Sequence, residues 1–204
     1  YFFAEKVVLN EITLSRKSYH LNTMIRSSIQ MLKKFFKKRE STNNDLSIQI
    51  ENYDPNDFYS PLNGTLISLN NVDDPVFSQG MMGCGIAIKP KDGKLFSPVK
   101  GKIQSLFPTK HAIGIVDERN NIEILIHIGI NTVELNGELF ETFVNVNDNV
   151  LPGQLLIKFD EKKILEKGYD NVTMIIFTNI RDENRLSNIK YGEVKAGEQI
   201  LKLL

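Results

Sequence analysis

Along the second two thirds of this chain, apolar and polar positions alternate mostly with a period of two. From Ser60 onward, short apolar runs are punctuated by Gly, Asn, Asp and Pro, the texture of many short strands joined by turns. Between Lys37 and Tyr59 the chain is polar, rich in Asn, Asp and Ser, with no sustained period, which predicts a linker. The expected organisation is an N-terminal extension and linker over 1–59 and an all-β domain over 60–204. Inside that domain only Glu161–Glu166 reads as a helical turn, with Asp160 as its N-cap and Gly168 just past its end. The predicted fold is an antiparallel β-sandwich with very little helix.

Two internal echoes support this reading. Ser60-Pro61-Leu62-Asn63-Gly64 matches Ser97-Pro98-Val99-Lys100-Gly101 at Ser, Pro and Gly, as though one strand-and-turn unit is used twice. The stretches beginning at Val150 and Val194 each place a glycine, Gly153 or Gly197, between a valine and an apolar strand, where a tight turn needs positive φ. A hairpin is expected at each.

Isoleucine occupies every even position from Ile122 to Ile130, so a period-two strand sets five isoleucines on one face and Glu123, Leu125, His127 and Gly129 on the other. Upstream, His111 to Val116 reads as a second strand, and Asp117 to Asn121 as the turn between them. Pairing Asp117 with Asn121 around a three-residue loop places His111 directly opposite His127 on one face; a two-residue loop separates them. A lone strand histidine is most often a satisfied structural residue, but here two of only three histidines converge on one hairpin. Gly129, two residues beyond His127, is expected to leave room for another molecule.

Adjacent imidazoles suit zinc binding, general acid–base work or nucleophilic phosphoryl transfer through a ring nitrogen. The chain has no HxxxH, HxH, HExxH or CxxC spacing, and the third histidine, His20, lies in the leader, so the metal signal is weak; a zinc peptidase would need a carboxylate ligand and an HxH pair. No glycine-rich phosphate loop suggests direct use of ATP, so a phosphoryl group has to arrive already activated. No metal or cofactor is expected.

Lys+Arg and Asp+Glu both number 25 in 204 residues, so no overall bias points to nucleic acid, and any electrostatic targeting is local. A single cysteine, Cys84, no apolar run of membrane-spanning length and no secretory signal predict a cytoplasmic setting. Met31-Leu32-Lys33-Lys34-Phe35-Phe36-Lys37-Lys38-Arg39 sets Met31, Leu32, Phe35 and Phe36 on one helical face and cations mostly opposite, the pattern of a surface-lying amphipathic helix that touches anionic lipid.

The ordered motifs Met82-Gly83-Cys84-Gly85-Ile86-Ala87-Ile88-Lys89-Pro90, Phe107-Pro108-Thr109-Lys110-His111-Ala112-Ile113-Gly114, Ile126-His127-Ile128-Gly129-Ile130-Asn131-Thr132-Val133 and Gly153-Gln154-Leu155-Leu156 resemble the glucose-type IIA component of the bacterial sugar phosphotransferase system. The resemblance is collinear from about Ser60 onward. It implies a β-sandwich of the duplicated hybrid motif type that takes phosphate from the phosphocarrier HPr and passes it to a IIB domain of a IIB/IIC sugar permease. It further implies that His127 accepts the phosphoryl group, His111 hydrogen-bonds it and Thr109 orients the His111 ring. In that family an Asp stands where Cys84 and Asn131 stand here, and the two carboxylates form a rim met by basic groups on HPr. Their loss is open to two readings, drift at a rim where each exposed charge is worth little, or a changed partner or donor rate. Cys84 as a nucleophile is a sharper alternative. A rival for the whole chain is a non-phosphorylated regulatory or binding module of the same fold that docks on transporters or metabolic enzymes.

Overall fold

The computed structural model describes residues 47–51 and 53–203. The basic segment expected to be helical at Met31 to Arg39 lies outside them.

Fourteen short strands form three antiparallel sheets among the described residues. In chain order they are β1 Asp57–Tyr59, β2 Gly64–Ser68, β3 Cys84–Pro90, β4 Lys94–Phe96, β5 Gly101–Leu106, β6 Ala112–Asp117 and β7 Glu123–Ile128, followed by β8 Phe140–Thr142, β9 Asn149–Val150, β10 Leu155–Phe159, β11 Thr173–Phe177, β12 Leu186–Ser187, β13 Gly192–Val194 and β14 Gln199–Leu203. Eight of them make the main sheet, in the order β13-β2-β3-β11-β7-β6-β5-β9; β1-β14-β12 and β4-β10-β8 make two smaller ones. One apolar core draws Ile86 and Ile126 from the main sheet, Phe58 and Leu201 from the first small sheet, and Leu95 and Ile157 from the second. The molecule is therefore the expected sandwich. The folded unit starts upstream of Ser60: β1 pairs with β14, and Ser47 bridges to Gln154.

The first echo is structural. Ser60 Oγ donates to the Leu62 carbonyl and Ser97 Oγ to the Val99 carbonyl, at 2.7 and 2.8 Å, and Gly64 and Gly101 then each open a strand. A Cβ on either glycine would strike a neighbouring carbonyl, Lys89 O or Val116 O. The second echo is real in its turns and wrong in its hairpins. Gly153 and Gly197 both take positive φ, at 80° and 84°. Yet β9 pairs with β5 and β10 with β4 and β8, while β13 pairs with β2 and β14 with β1 and β12. Each glycine turns a sandwich corner, sending the chain from one sheet to another, a geometry with the same local sequence needs as a hairpin.

The expected helix Glu161–Glu166, here α2, forms with Asp160 accepting from Lys163 N–H and Gly168 beyond it at φ 86°. A second helix, α1 (Pro75–Ser78), was not anticipated. It belongs to a segment that covers the outer face of the main sheet, where Leu69, Val72 and Phe77 pack on Ala87, Met174 and Ile176 in a second, smaller apolar cluster.

Candidate functional site

The outer face of β7 carries the site. Ile122, Ile124, Ile126 and Ile128 are buried in the main core as the alternation requires. Ile130 leaves the pattern because Gly129 takes φ 75°, and it packs instead on the outer cluster. His127 lies on the outer face between Ala112 of β6 and Met174 of β11, both fully buried.

The hairpin register differs by one from the three-residue-loop expectation. Ala112, not His111, stands opposite His127, because Asp117 pairs with Ile122 around a four-residue loop, Glu118 to Asn121. Strand alternation alone would then part the histidines. They meet because His111 precedes the regular strand and follows Lys110, which sits at φ 58°; the bend turns the His111 ring onto the outer face while its carbonyl still accepts Ile128 N–H at 2.8 Å. The two rings lie edge to face with centroids 4.7 Å apart. Thr109 Oγ1 is 2.7 Å from His111 Nδ1, so the hydroxyl fixes that ring whichever atom carries the shared proton.

His127 Nδ1 lies 2.9 Å from the Gly129 carbonyl oxygen. A carbonyl only accepts, so Nδ1 bears the proton and the lone pair of the neutral ring is on Nε2. Burial disfavours the imidazolium and the neighbouring His111 adds to it, taking the His127 pKa from 6.5 down to about 4 against smaller opposing effects of the Gly129 carbonyl and Asp74. Burial lowers the His111 pKa as well. Phe77 of α1 packs on the His127 ring at 5.1 Å and Phe107 on the His111 ring at 5.7 Å.

Gly129 makes room within the chain, not for another molecule. A Cβ there would meet the Thr132 methyl and, at 2.6 Å, the Asp170 carbonyl oxygen. Its N–H donates to Val172 O and the next N–H, of Ile130, to Asp170 O, which ties the strand exit to the chain entering β11.

The rings open on a cleft of about 440 Å³. Asp74, Thr109 and Asn131 supply its other polar lining, and Phe77, Phe107 and Val133 most of the apolar part. Asn131 is at φ 59°, a conformation that Asn and Asp tolerate better than most residues. Cys84 is outside the lining. Its thiol is buried, donates to the Ile180 carbonyl at 3.3 Å and is pushed up in pKa by desolvation, which overturns the nucleophile alternative. Sequence reasoning missed α1 with Asp74 and Phe77, although Asp74-Pro75 is a helix start in plain sight: Asp74 Oδ1 accepts from Val76 N–H and Pro75 takes the first turn. No group of three or more His, Cys, Asp or Glu among the described residues is arranged to hold a metal ion, and no helix among them is long and apolar enough to cross a membrane.

This chain is similar to the glucose-specific EIIA component of Oceanobacillus iheyensis, at 43% identity over 175 residues that cover 85% of this chain and 99% of that protein. It is also 46% identical over 143 residues to the glucoside-specific EIICBA component of Staphylococcus carnosus, covering 70% of this chain and 20% of that larger protein. Among solved structures it is similar to the glucose permease IIA from Mycoplasma capricolum, with a TM-score of 0.66 and 41% identity over 71% of this chain and 93% of that one. A family model described as phosphoenolpyruvate-dependent sugar phosphotransferase system, EIIA 1, matches residues 56–183, and with that match the chain belongs to this phosphotransferase family.

Proposed function

We propose that this chain is a phosphocarrier whose His127 Nε2 accepts a phosphoryl group from phosphorylated HPr and passes it to a IIB domain of a sugar permease. The single observation that carries the reading is the hydrogen bond from His127 Nδ1–H to the Gly129 carbonyl, which leaves Nε2 the lone-pair nitrogen of a ring kept neutral by burial. In the transfer, that lone pair forms the N–P bond while the bond from phosphorus to the donor breaks and its electron pair stays with the donor. The protein's contribution is in-line placement and donors for the phosphoryl oxygens. In the tautomer in which Thr109 Oγ1–H donates to His111 Nδ1, 2.7 Å away, His111 Nε2–H serves as such a donor. Relatives in which an EIIA region is joined to EIIB and EIIC regions fit a permease as the recipient. The setting is cytoplasmic, with weak contact between Met31 to Arg39 and anionic lipid assigned from sequence alone.

The test is incubation with phosphoenolpyruvate, enzyme I and HPr, followed by intact mass. The wild type gains one phosphoryl group and His127→Gln gains none. An unchanged wild-type mass sinks the proposal and leaves the non-phosphorylated binding module in its place.

A further inference from the structure

The polar side chains that line the cleft are Asp74, Thr109, His111, His127 and Asn131. All but Asn131 are already engaged within the chain. Asp74 Oδ1 caps α1 through the Val76 N–H at 2.8 Å, Thr109 Oγ1 and His111 Nδ1 hold each other at 2.7 Å, and His127 Nδ1 is bound to the Gly129 carbonyl at 2.9 Å. The exposed Asn131 side chain makes no hydrogen bond among the described residues, not even to the short turn Thr132–Leu135 that follows it. Backbone brings it to the cleft. Gly129 at φ 75° and Asn131 at φ 59° are two left-handed residues in three, and this double bend turns the chain back to the site just after β7 ends, with Ile130 between them packed on the outer apolar cluster. Asn and Asp both tolerate that conformation, so the backbone does not choose between an amide and a carboxylate. Their chemistry differs: the amide bears two N–H donors and an ionised carboxylate none.

A phosphoryl group on His127 Nε2 brings three acceptor oxygens and about two negative charges into the cleft. His111 Nε2–H can meet one oxygen, and no lysine or arginine among the described residues lines the cleft to meet the others. We propose that Asn131 is a further residue of the transfer site, its side-chain Nδ2–H donating to a phosphoryl oxygen once His127 is loaded and so favouring retention of the group. The proposal rests on the phosphocarrier reading. Hydrogen bonds to an ionised acceptor are roughly twice as strong as neutral ones, and Asn131 gives up no internal bond by turning toward one. In the free carrier the exposed amide is hydrated, so the gain appears only with the anion in place, as a shift of the phosphoryl equilibrium toward the carrier.

The experiment compares the wild type with Asn131→Asp and Asn131→Gly. Both variants keep the left-handed backbone; the first replaces the donor by a carboxylate and the second removes the side chain. Two quantities are read: the equilibrium constant for phosphoryl exchange with HPr, from intact mass, and the pH at which the phosphoryl group of the loaded carrier titrates, from phosphorus NMR. Both report on the loaded state, so a change in docking rate leaves them unmoved. Each variant holds the phosphoryl group roughly tenfold less well than the wild type, the cost of one hydrogen bond to a charged group. In each the group titrates at higher pH, because its dianion has lost a donor. Variants within about twofold of the wild-type equilibrium, with the titration unmoved, overturn the proposal and leave the phosphocarrier reading standing. So does a change in Asn131→Asp alone, which assigns the effect to repulsion by the carboxylate, or in Asn131→Gly alone, which assigns it to bulk. A wild type that takes no phosphoryl group overturns the phosphocarrier reading and this proposal with it.

Discussion

Lowering the pH tests the idea that burial, not a dedicated base, keeps His127 ready to react. An ordinary imidazole with pKa 6.5 is about nine-tenths protonated at about pH 5.5, whereas a ring at about 4 remains well over nine-tenths neutral. The concentration of free Nε2 lone pair thus differs by roughly tenfold between the two cases at that pH. The same shift bears on stability. Between the two pKa values the unfolded chain binds a proton that the folded chain refuses, so the His127 contribution is fully present above about pH 6.5 and is lost as pH falls toward about 4. At about 1.4 kcal/mol per unit, the loss amounts to about 3 kcal/mol by the lower end. Nitrogen-detected NMR titration of the His127 ring reads the pKa, and denaturant midpoints of wild type and His127→Gln over the same range read the linkage. Phe77→Ala, which strips the ring of a cover packed at 5.1 Å, moves the pKa up toward 6.5. A wild-type His127 that titrates near 6.5, or an acid destabilisation identical in His127→Gln, refutes the reasoning.

Two further outcomes follow from the site. His111→Gln retains an amide donor of similar reach, so it still accepts phosphate from HPr; onward transfer to IIB falls by about 10²–10³ in single-turnover assays, the usual cost of one misplaced transition-state donor. Equal onward rates would remove His111 from the transfer step. Gly129→Ala combines a left-handed backbone with a Cβ pressed on Thr132 and the Asp170 carbonyl. It destabilises the chain by about 2–4 kcal/mol in chemical denaturation, where a change under about 0.5 kcal/mol would show the crowding to be relieved cheaply.

Much of this architecture is legible in local pattern, because strand faces and turns are short-range properties. Alternation buries Ile122 through Ile128, and Asp160 with Gly168 marks both ends of α2. What sequence could not supply is which strand lies beside which. The turns at Gly153 and Gly197 carry the same positive φ that a hairpin needs, but the partner of the following strand is decided by packing across the sandwich. The histidine pairing shows the same division. The residues that meet were readable, while the register was off by one and the bend at Lys110 compensated, since a left-handed lysine has no strong sequence signature. Asp74 and Phe77 went unseen because a four-residue helix has no periodicity to detect, only the Asp-Pro start.

The peptide unit joining Gly129 to Ile130 is engaged at both ends: its carbonyl holds the His127 ring, and its N–H donates to the Asp170 carbonyl ahead of β11. A phosphoryl group on Nε2 would draw electron density from the ring and make Nδ1–H a stronger donor. The carbonyl is then more polarised, and the N–H of the same amide more acidic, so the second hydrogen bond tightens with the first. The chemical state of one nitrogen would thereby reach the backbone just ahead of a neighbouring strand, and the Ile130 amide resonance would serve as a built-in readout of whether the carrier is loaded.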